Sequence, residues 1–312
     1  MYVHTHTINI MTKVAKTIKI ETTHEEWLKS KNLNFSDWVR KKLDQEILKA
    51  QQGNSGKPFK AIILAAGEDK SLFPLTEEIP KTLLDIKGKT ILERQIQLLR
   101  SVGIHDIAVV RGYKKHRINY VDLQYFDNDS YENSGSLVSL LVAKDYLDTP
   151  TIVLYGDILF EAEILARLLD SKEETTLVVD RGWKKRYQES KEGHALQPEL
   201  TTLAEGDENT KVVGIGMSES DLSSEFIGLA KLSISSLKIL DNVYKSKYLK
   251  DPEQKFHNSS SLRKASLLDF FQELIEQHEN INALEIWRSW IDVDTFEDYR
   301  NSWKLIEELD KG

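Results

Sequence analysis

AIILAAGEDKSLFPLTEEIPKTLL, residues 61–84, is the stretch on which the architecture of this chain turns. Its first four residues are apolar, three of them alanine or isoleucine before Leu64, as in a strand buried on both faces. The run ends at Ala65, Ala66 and Gly67, where small side chains let backbone N–H groups approach a bound phosphate. A polar loop follows, then Pro74-Leu75-Thr76 and Pro80-Lys81. A lysine returning to the end of that strand supplies a positive charge that moves with the loop.

Outward from this point, the apolar periodicity predicts strands at 61–64, 83–86, 107–110, 151–155 and 175–179. Helices are predicted between them, at 90–103, 136–147 and 161–170. Thr90-Ile91-Leu92-Glu93 reads as a capping box, and Gly103 as a C-terminal stop. Alternation of this kind predicts an α/β fold with a mainly parallel, doubly wound, Rossmann-like sheet covered on both faces. In such sheets ligands sit beyond the C-terminal strand ends. Gly67, Arg111, Asp157 and Asp180 each follow one of those ends, so a single crevice is expected to collect them. Further on, 200–205 and 211–216 predict an antiparallel hairpin and 226–233 a strand. Helices are expected at 236–249 and 267–278, a tryptophan-rich strand at 285–293, and a last helix from Thr295.

The 312 residues, 40% hydrophobic, suffice for one large α/β domain and a small appendage. With no cysteine, disulfides and thiolate metal sites are excluded, and a cytoplasmic setting is expected. No apolar run approaches the roughly 20 residues that cross a bilayer, and MYVHTHTINIMTK lacks the order of a signal peptide. The net charge of −8 argues against broad nucleic-acid affinity. That charge is uneven: residues 1–50 hold nine Lys/Arg against six Asp/Glu, and the remainder 33 against 44. The seam is QQGNSGKP, which predicts a module at 1–50, a linker at 51–58 and a domain at 59–312. In the module, KTIKIE at 16–21 alternates like a half-buried strand, and Thr23 and Ser36 open two short helices. Strand, short helix and NFSDWVRKKL helix are similar to the ribbon-helix-helix family, whose members pair strands as dimers and insert the ribbon into the DNA major groove. So small a unit buries too little surface alone, so a homodimer is expected. DNA binding stays open, but among Thr17, Lys19 and Glu21 on the outward strand face only Lys19 is basic.

Asp157 follows an apolar strand and a glycine, while Asp292 and Asp294 alternate onto one strand face in WIDVDTFED. Taken singly, each reads as a turn or capping aspartate. Together with the loop at 67–81 they make a hard-oxygen set suited to Mg²⁺. Val179-Asp180-Arg181-Gly182-Trp183, with Tyr187, puts a carboxylate beside aromatic rings. That arrangement serves a small organic cation or, equally, loop packing. Asn133-Ser134-Gly135-Ser136 opens a helix and offers an N-cap or an anion contact.

Residues 61–84 resemble the N-terminal signature of the nucleotidyltransferase family, with its sugar-phosphate nucleotidyltransferase-like fold. These enzymes join a nucleoside triphosphate to a phosphorylated small molecule. VDRGW with Tyr187, EFIGLAKLS at 225–233 and the tryptophan strand before Asp294 are similar to cytidylyltransferases that act on phosphocholine or 2-aminoethylphosphonate. The resemblance spans nearly all of 59–303. It implies CTP along Leu64, Ala65, Ala66, Gly67 and Lys81, with the base near Ala65, Arg111 and Tyr113. It implies Mg²⁺ on Asp157 and Asp294, with Asp292 beside them, and Lys81 at the reacting phosphates. The acceptor would be a small phosphate or phosphonate with a cationic tail, held by Asp180 with Trp183 or Tyr187 and approached by Asn133. Two positions depart from the family pattern of glycine, any, glycine, any, arginine: Asp69 replaces the second glycine and Ser71 the arginine. Lys70 is then the substitute cation, without a bidentate fork. Weaker nucleotide affinity, a rearranged loop or an inactive enzyme are the expectations, and the retained Lys81, Asp157 and Asp294 count against the last. A sugar-1-phosphate nucleotidyltransferase and a DNA-binding regulator with a nucleotide-sensing domain are the alternatives.

Overall fold

The computed structural model describes residues 59–171, 175–185, 198–205, 210–216 and 223–309. The ribbon-helix-helix-like reading of 1–50, the linker and Tyr187 lie outside these residues. Among the described residues no helix is long and apolar enough to cross a membrane.

The chain runs β1 (Lys60–Ala65), β2 (Asp85–Ile86), β3 (Lys89–Thr90), α1 (Ile91–Ser101), β4 (Ile107–Arg111), β5 (Gln124–Asp127) and α2 (Ser136–Leu141). It continues through β6 (Thr151–Tyr155), β7 (Ile158–Phe160), α3 (Ala162–Asp170), β8 (Thr175–Asp180), β9 (Leu200–Ala204), β10 (Lys211–Ile215) and β11 (Ser223–Leu232). The last elements are α4 (Ile234–Val243), α5 (Leu267–Glu276), β12 (Ile281–Ile286), β13 (Trp290–Asp292) and α6 (Phe296–Leu309).

Nine strands form the main sheet in the order β5-β4-β1-β6-β11-β8-β12-β10-β9. The half from β5 to β6 is parallel throughout, as the βα alternation requires. Beyond β6 the pairing turns antiparallel at β11, is parallel once more between β8 and β12, and is antiparallel at the far edge, so the sheet as a whole is mixed. Strand β9 also pairs with the start of β11, which closes β11, β8, β12, β10 and β9 into a ring.

Side chains of β1 alternate between two cores. Ile62 and Leu64 pack with Leu137 and Phe270 on one face, whereas Ala61, Ile63 and Ala65 pack with Leu92, Ile96 and Leu165 on the other. Helix α1 begins at the capping box that its sequence predicts: Thr90 Oγ1 accepts from the Glu93 N–H, and the Glu93 carboxylate accepts from the Thr90 N–H. A third, smaller core joins Leu72, Leu84, Ile86, Ile91, Leu159, Ile291, Val293 and Ile306. Each buried aliphatic side chain contributes about 1.5–3 kcal/mol, so this core fastens the loop after β1, the β2–β3 hairpin, β7, β13 and α6 to one another.

Several elements differ from the sequence reading: β7 was not expected, and the helix expected at 136–147 ends at Leu141. The strand expected at 285–293 is two strands in different sheets: β12 lies in the main sheet and β13 pairs with β7. Between them Arg288 and Ser289 adopt φ of 68° and 66°, which breaks an extended chain. Strand β5 was not expected either; Gln124 and Asp127 are exposed, Tyr125 and Phe126 half-buried, and the four residues carry no alternation.

Candidate active site

Strands β1 and β6 end side by side. The Gly156 N–H donates to the Leu64 carbonyl at 2.9 Å, and a Cβ at Gly156 would lie 2.9 Å from the Ala65 Cβ. Glycine is therefore required where these ends meet. Asp157 occupies the turn into β7. Beneath it Gln95, on the buried face of α1, donates from Nε2 to the carbonyls of Tyr155 and Ile158, both at 2.8 Å. Those two carbonyls flank Gly156 and Asp157, so one amide sets the turn.

Antiparallel pairing with β7 puts Asp292 opposite Ile158, and the Val293 N–H donates to the Asp157 carbonyl at 3.2 Å. The two-residue period sends Ile291 and Val293 into the third core and leaves Asp292 and Asp294 on the side of Asp157. One oxygen of each of Asp157, Asp292 and Asp294 falls within 4.8 Å of the others. Thr295 caps α6, its Oγ1 accepting from the Asp298 N–H, so neither Asp292 nor Asp294 is the cap.

Lys81 reaches this cluster from the far end of the loop. Its Nζ lies 2.5 Å from Asp294 Oδ1, 2.8 Å from Asp69 Oδ2 and 2.9 Å from Asp157 Oδ2. Burial alone would lower its pKa, but Asp157, Asp294, Asp292 and Asp69 outweigh it and hold the ammonium well above its usual value. Asp292 shows the converse: burial first, then the charges of Asp294 and Asp157, push its carboxyl well up. Four carboxylates around one ammonium leave an excess of negative charge. Asp157 Oδ1 and Asp292 Oδ1 are also buried without a hydrogen-bond partner among the described residues. Two unpaired buried oxygens, with a third carboxylate converging on them, fit a divalent cation with hard-oxygen preference.

The two departures from the family pattern act on this centre directly. Asp69 Oδ1 accepts from the Ser71 N–H at 2.8 Å and from Ser71 Oγ at 2.5 Å, and Ser71 Oγ also lies 2.6 Å from the Asp294 carbonyl. Thr76 Oγ1 donates to the Asp69 carbonyl at 2.6 Å. These contacts organise the loop around Asp69, whose carboxyl is lowered despite burial by the charge of Lys81. Lys70 does not join the centre: its side chain is 72% exposed and its Nζ pairs with Glu68 at 3.4 Å.

Two chambers open on either side of Asp157, sharing Leu64 and Gly67. The first is lined by Ala65, Asp69, Lys81 and Gly156, the second by Ala66, Tyr131, Ser136, Tyr155 and Glu199. Gly67 has nothing within 4 Å of where a Cβ would stand, so its backbone is open to a ligand from both.

Other expected residues are placed elsewhere. The Arg111 guanidinium turns to the sheet edge, pairing with Asp127 at 2.9 Å, donating to the Ile118 carbonyl and stacking 4.1 Å over Tyr125. Tyr113 ties the loop at both ends, its N–H donating to the Ala66 carbonyl and its hydroxyl to the Glu77 carbonyl, at 2.9 and 2.5 Å. Asp180 is 1% exposed, and its oxygens accept from the Gly182 N–H at 2.7 Å, the Arg288 N–H at 3.3 Å and Trp290 Nε1 at 2.9 Å. It clamps the break between β12 and β13 and has no face left for a cation. Trp183 Nε1 donates to the Ser223 carbonyl at 3.1 Å, and neither Asp180 nor Trp183 lines a chamber. Asn133 is exposed at the end of a 3₁₀ turn, and its neighbours Ser134 and Ser136 line the second chamber instead. Reading the sequence missed Gln95, Tyr155 and Glu199. A glutamine on the apolar face of α1 was a usable signal for the first; Glu199 sits in no recognisable pattern.

Residues 61–214 match the MobA-like NTP transferase domain. The chain is 29% identical over 252 residues to CTP:phosphoglutamine cytidylyltransferase of Campylobacter jejuni, covering 76% of this chain and 96% of that protein. It is 36% identical over 107 residues to choline-phosphate cytidylyltransferase of Streptococcus pneumoniae, a third of this chain and 47% of that one, so the match spans about half of that relative. The solved structure of CTP:phosphocholine cytidylyltransferase from Streptococcus pneumoniae shares the fold, with a TM-score of 0.59 at 22% identity over 80% of this chain and all of the other.

Proposed function

This chain belongs to the nucleotidyltransferases through its MobA-like NTP transferase domain, and on that premise we propose that it transfers CMP from CTP to a small phosphate or phosphonate monoester with a cationic tail, releasing pyrophosphate. The observation that carries this reading is the convergence of Lys81 with Asp157, Asp292 and Asp294 beside the open backbone of Gly67. The cytidylyl preference and the nitrogen-bearing acceptor are taken from relatives that act on phosphoglutamine and choline phosphate.

An oxygen of the acceptor attacks the α-phosphorus, the new P–O bond forms in line, and the bond to the β-phosphate breaks. A phosphomonoester with a second pKa of about 6 is largely dianionic near neutrality, so no general base is required. The work left to the protein is alignment and neutralisation of charge. Lys81 brings a protonated ammonium to the transferring phosphates, and Gly67 offers its backbone N–H. Asp157, Asp292 and Asp294 would hold Mg²⁺, which when bound supplies the positive charge that the replaced arginine does not. Tyr113 ties the loop together by its two contacts to the Ala66 and Glu77 carbonyls.

The test is pyrophosphate release from CTP with phosphocholine, phosphoethanolamine and 2-aminoethylphosphonate, by the wild type and by Asp157→Ala. Release by the wild type and its loss in the variant are expected. Undiminished release by Asp157→Ala would remove the acidic centre from the mechanism.

A further inference from the structure

The second chamber is acidic and aromatic. Asp157 and Glu199 line it, and no lysine, arginine or histidine does. Both Glu199 oxygens meet the Tyr155 hydroxyl, at 3.2 and 3.1 Å, and Ser136 Oγ lies 3.4 Å from the same hydroxyl. Tyr131 also lines the chamber, edge-on to Tyr113 at 6.2 Å. No cationic side chain among the described residues pairs with Glu199.

The surrounding structure holds this carboxylate in place. The Glu199 carbonyl accepts from the Phe226 N–H at 2.7 Å, and the adjacent Leu200 carbonyl from the Gly216 N–H at 2.8 Å. Tyr155 needs a gap in β11: a Cβ at Gly228 would fall 2.5 Å from Tyr155 Cδ2, and Gly228 adopts a φ of +80° at the point where the β11 register shifts. The other side of the Tyr155 ring packs edge-on against Phe226 at 6.1 Å. Unlike Asp180, which is closed off by three donors, Glu199 faces open space next to the acidic centre.

A carboxylate beside aromatic rings, without a protein cation to balance it, suits an organic ammonium ion. We propose that Glu199, seated on Tyr155, is the counter-charge for an ammonium group on the acceptor, so that the second chamber selects ammonium-bearing phosphates or phosphonates over neutral and hydroxyl-rich ones. This rests on the nucleotidyl-transfer reading and deepens it. It also moves the cation seat from Asp180 and Trp183 to Glu199 and Tyr155. Glu199 is a specificity residue here, because it acts on the tail of the acceptor and not on the phosphorus.

The probes are phosphocholine, its neutral isostere 3,3-dimethylbutyl phosphate, and glucose 1-phosphate, each titrated calorimetrically into wild type, Glu199→Gln and Glu199→Asp. The quaternary ammonium of choline has no N–H to donate, so its attraction to the carboxylate and the rings is electrostatic, about 0.5–2 kcal/mol, and the wild type should prefer phosphocholine to its isostere by about 2- to 30-fold. Glu199→Gln should bring that ratio close to one, and Glu199→Asp should keep part of it. Should Glu199→Gln fail to fold, the aspartate variant and the wild-type ratio carry the test. Equal affinity of the wild type for charged and neutral probes, preference for glucose 1-phosphate, discrimination undiminished in Glu199→Gln, or no binding of any probe would each overturn the assignment. Pyrophosphate release, followed in parallel, reports separately on transfer. Charge-selective binding without release defeats the transfer reading and leaves Glu199 standing. Release with glucose 1-phosphate alone does the reverse.

Discussion

Lys81 Nζ and Asp294 Oδ1 lie 2.5 Å apart although 213 residues separate them in the chain. The contact draws the end of the first loop onto the start of the last helix, and Asp157 and Asp69 complete the set around one ammonium. Replacing Lys81 by methionine leaves these carboxylates facing one another. Breaking a buried pair in this way costs about 3–5 kcal/mol. Lys81→Met should therefore melt earlier than the wild type at neutral pH, regain part of the loss when millimolar Mg²⁺ is added, and lose at least about 100-fold in turnover. Because the folded pKa of Lys81 is raised, its contribution is complete below about 10.5 and disappears as pH rises through the folded value. Thermal midpoints of the two proteins should therefore converge only in strong alkali. A variant as stable as the wild type at pH 7 would contradict this account.

Asp69 stands where the family pattern has a glycine, and it holds Lys81 at 2.8 Å. The pair is largely buried, Lys81 being 12% and Asp69 20% exposed, but Asp157 and Asp294 still hold the ammonium once Asp69 is gone, so the lost contact is worth about 1 kcal/mol. Asp69→Gly should release the ammonium toward the nucleotide and tighten CTP binding by up to about fivefold. Isothermal titration with Mg·CTP measures this directly, and weaker binding in the variant would show that Asp69 assists the nucleotide instead of competing with it.

Gln95 touches no chamber carboxylate, yet it donates to the carbonyls on both sides of Asp157. Gln95→Met keeps the volume and removes both hydrogen bonds. Leaving such carbonyls without a donor costs about 1–3 kcal/mol, and groups that orient a metal ligand typically govern about 10- to 100-fold in affinity. A stable, folded Gln95→Met protein with Mn²⁺ affinity equal to wild type, measured by electron paramagnetic resonance, would rule out this positioning role.

The readings that succeeded rest on local chemistry. The capping box at Thr90 and Glu93 is complete within four residues, and the helix begins where it says. The alternation of Ile291, Asp292, Val293 and Asp294 separates core from centre by strand geometry alone. The readings that failed depend on distant partners. Arg111 follows a strand end as expected, but β5 brings Asp127 alongside it, and β5 has too weak a pattern to be anticipated. Asp180 also follows a strand end, but the backbone break at Arg288 and Ser289 supplies donors that no spacing foretells. Glu199 lies two strands from Asp180, Leu200 and Asp180 both pairing with Glu225, so the ring closure of β9 on β11 is what brings an anionic side chain to the crevice.

Gly228 gives the tyrosine of that chamber its room. Alanine there meets two obstacles: a left-handed backbone, at about 1–2 kcal/mol, and a Cβ 2.5 Å from the Tyr155 ring. Gly228→Ala should lose roughly 2–4 kcal/mol of stability and raise the acceptor KM more than the CTP KM. Equal effects on both constants would mean that Tyr155 belongs to the nucleotide side of the crevice.

Glu199 gives the molecule a pH signature that can be read without turnover. Burial first, opposed by the Tyr155 hydrogen bond and reinforced by Asp157 and Glu225, pushes its carboxyl from 4.5 up to about 8. Between those values the folded protein keeps a proton that the unfolded chain has released. Stability therefore falls as pH rises through this window, by up to about 1.4 kcal/mol per pH unit from this one group, and the slope ends above about 8. Glu199→Gln has no proton to lose, so its thermal midpoint should decline less than that of wild type between about pH 5 and pH 8.5. An ammonium-bearing acceptor should oppose the wild-type decline, because it binds the ionised carboxylate and so stabilises most at the alkaline end. Differential scanning fluorimetry of both proteins across this range, with and without phosphocholine, measures each slope. Parallel curves for wild type and Glu199→Gln would place the titrating carboxyl elsewhere.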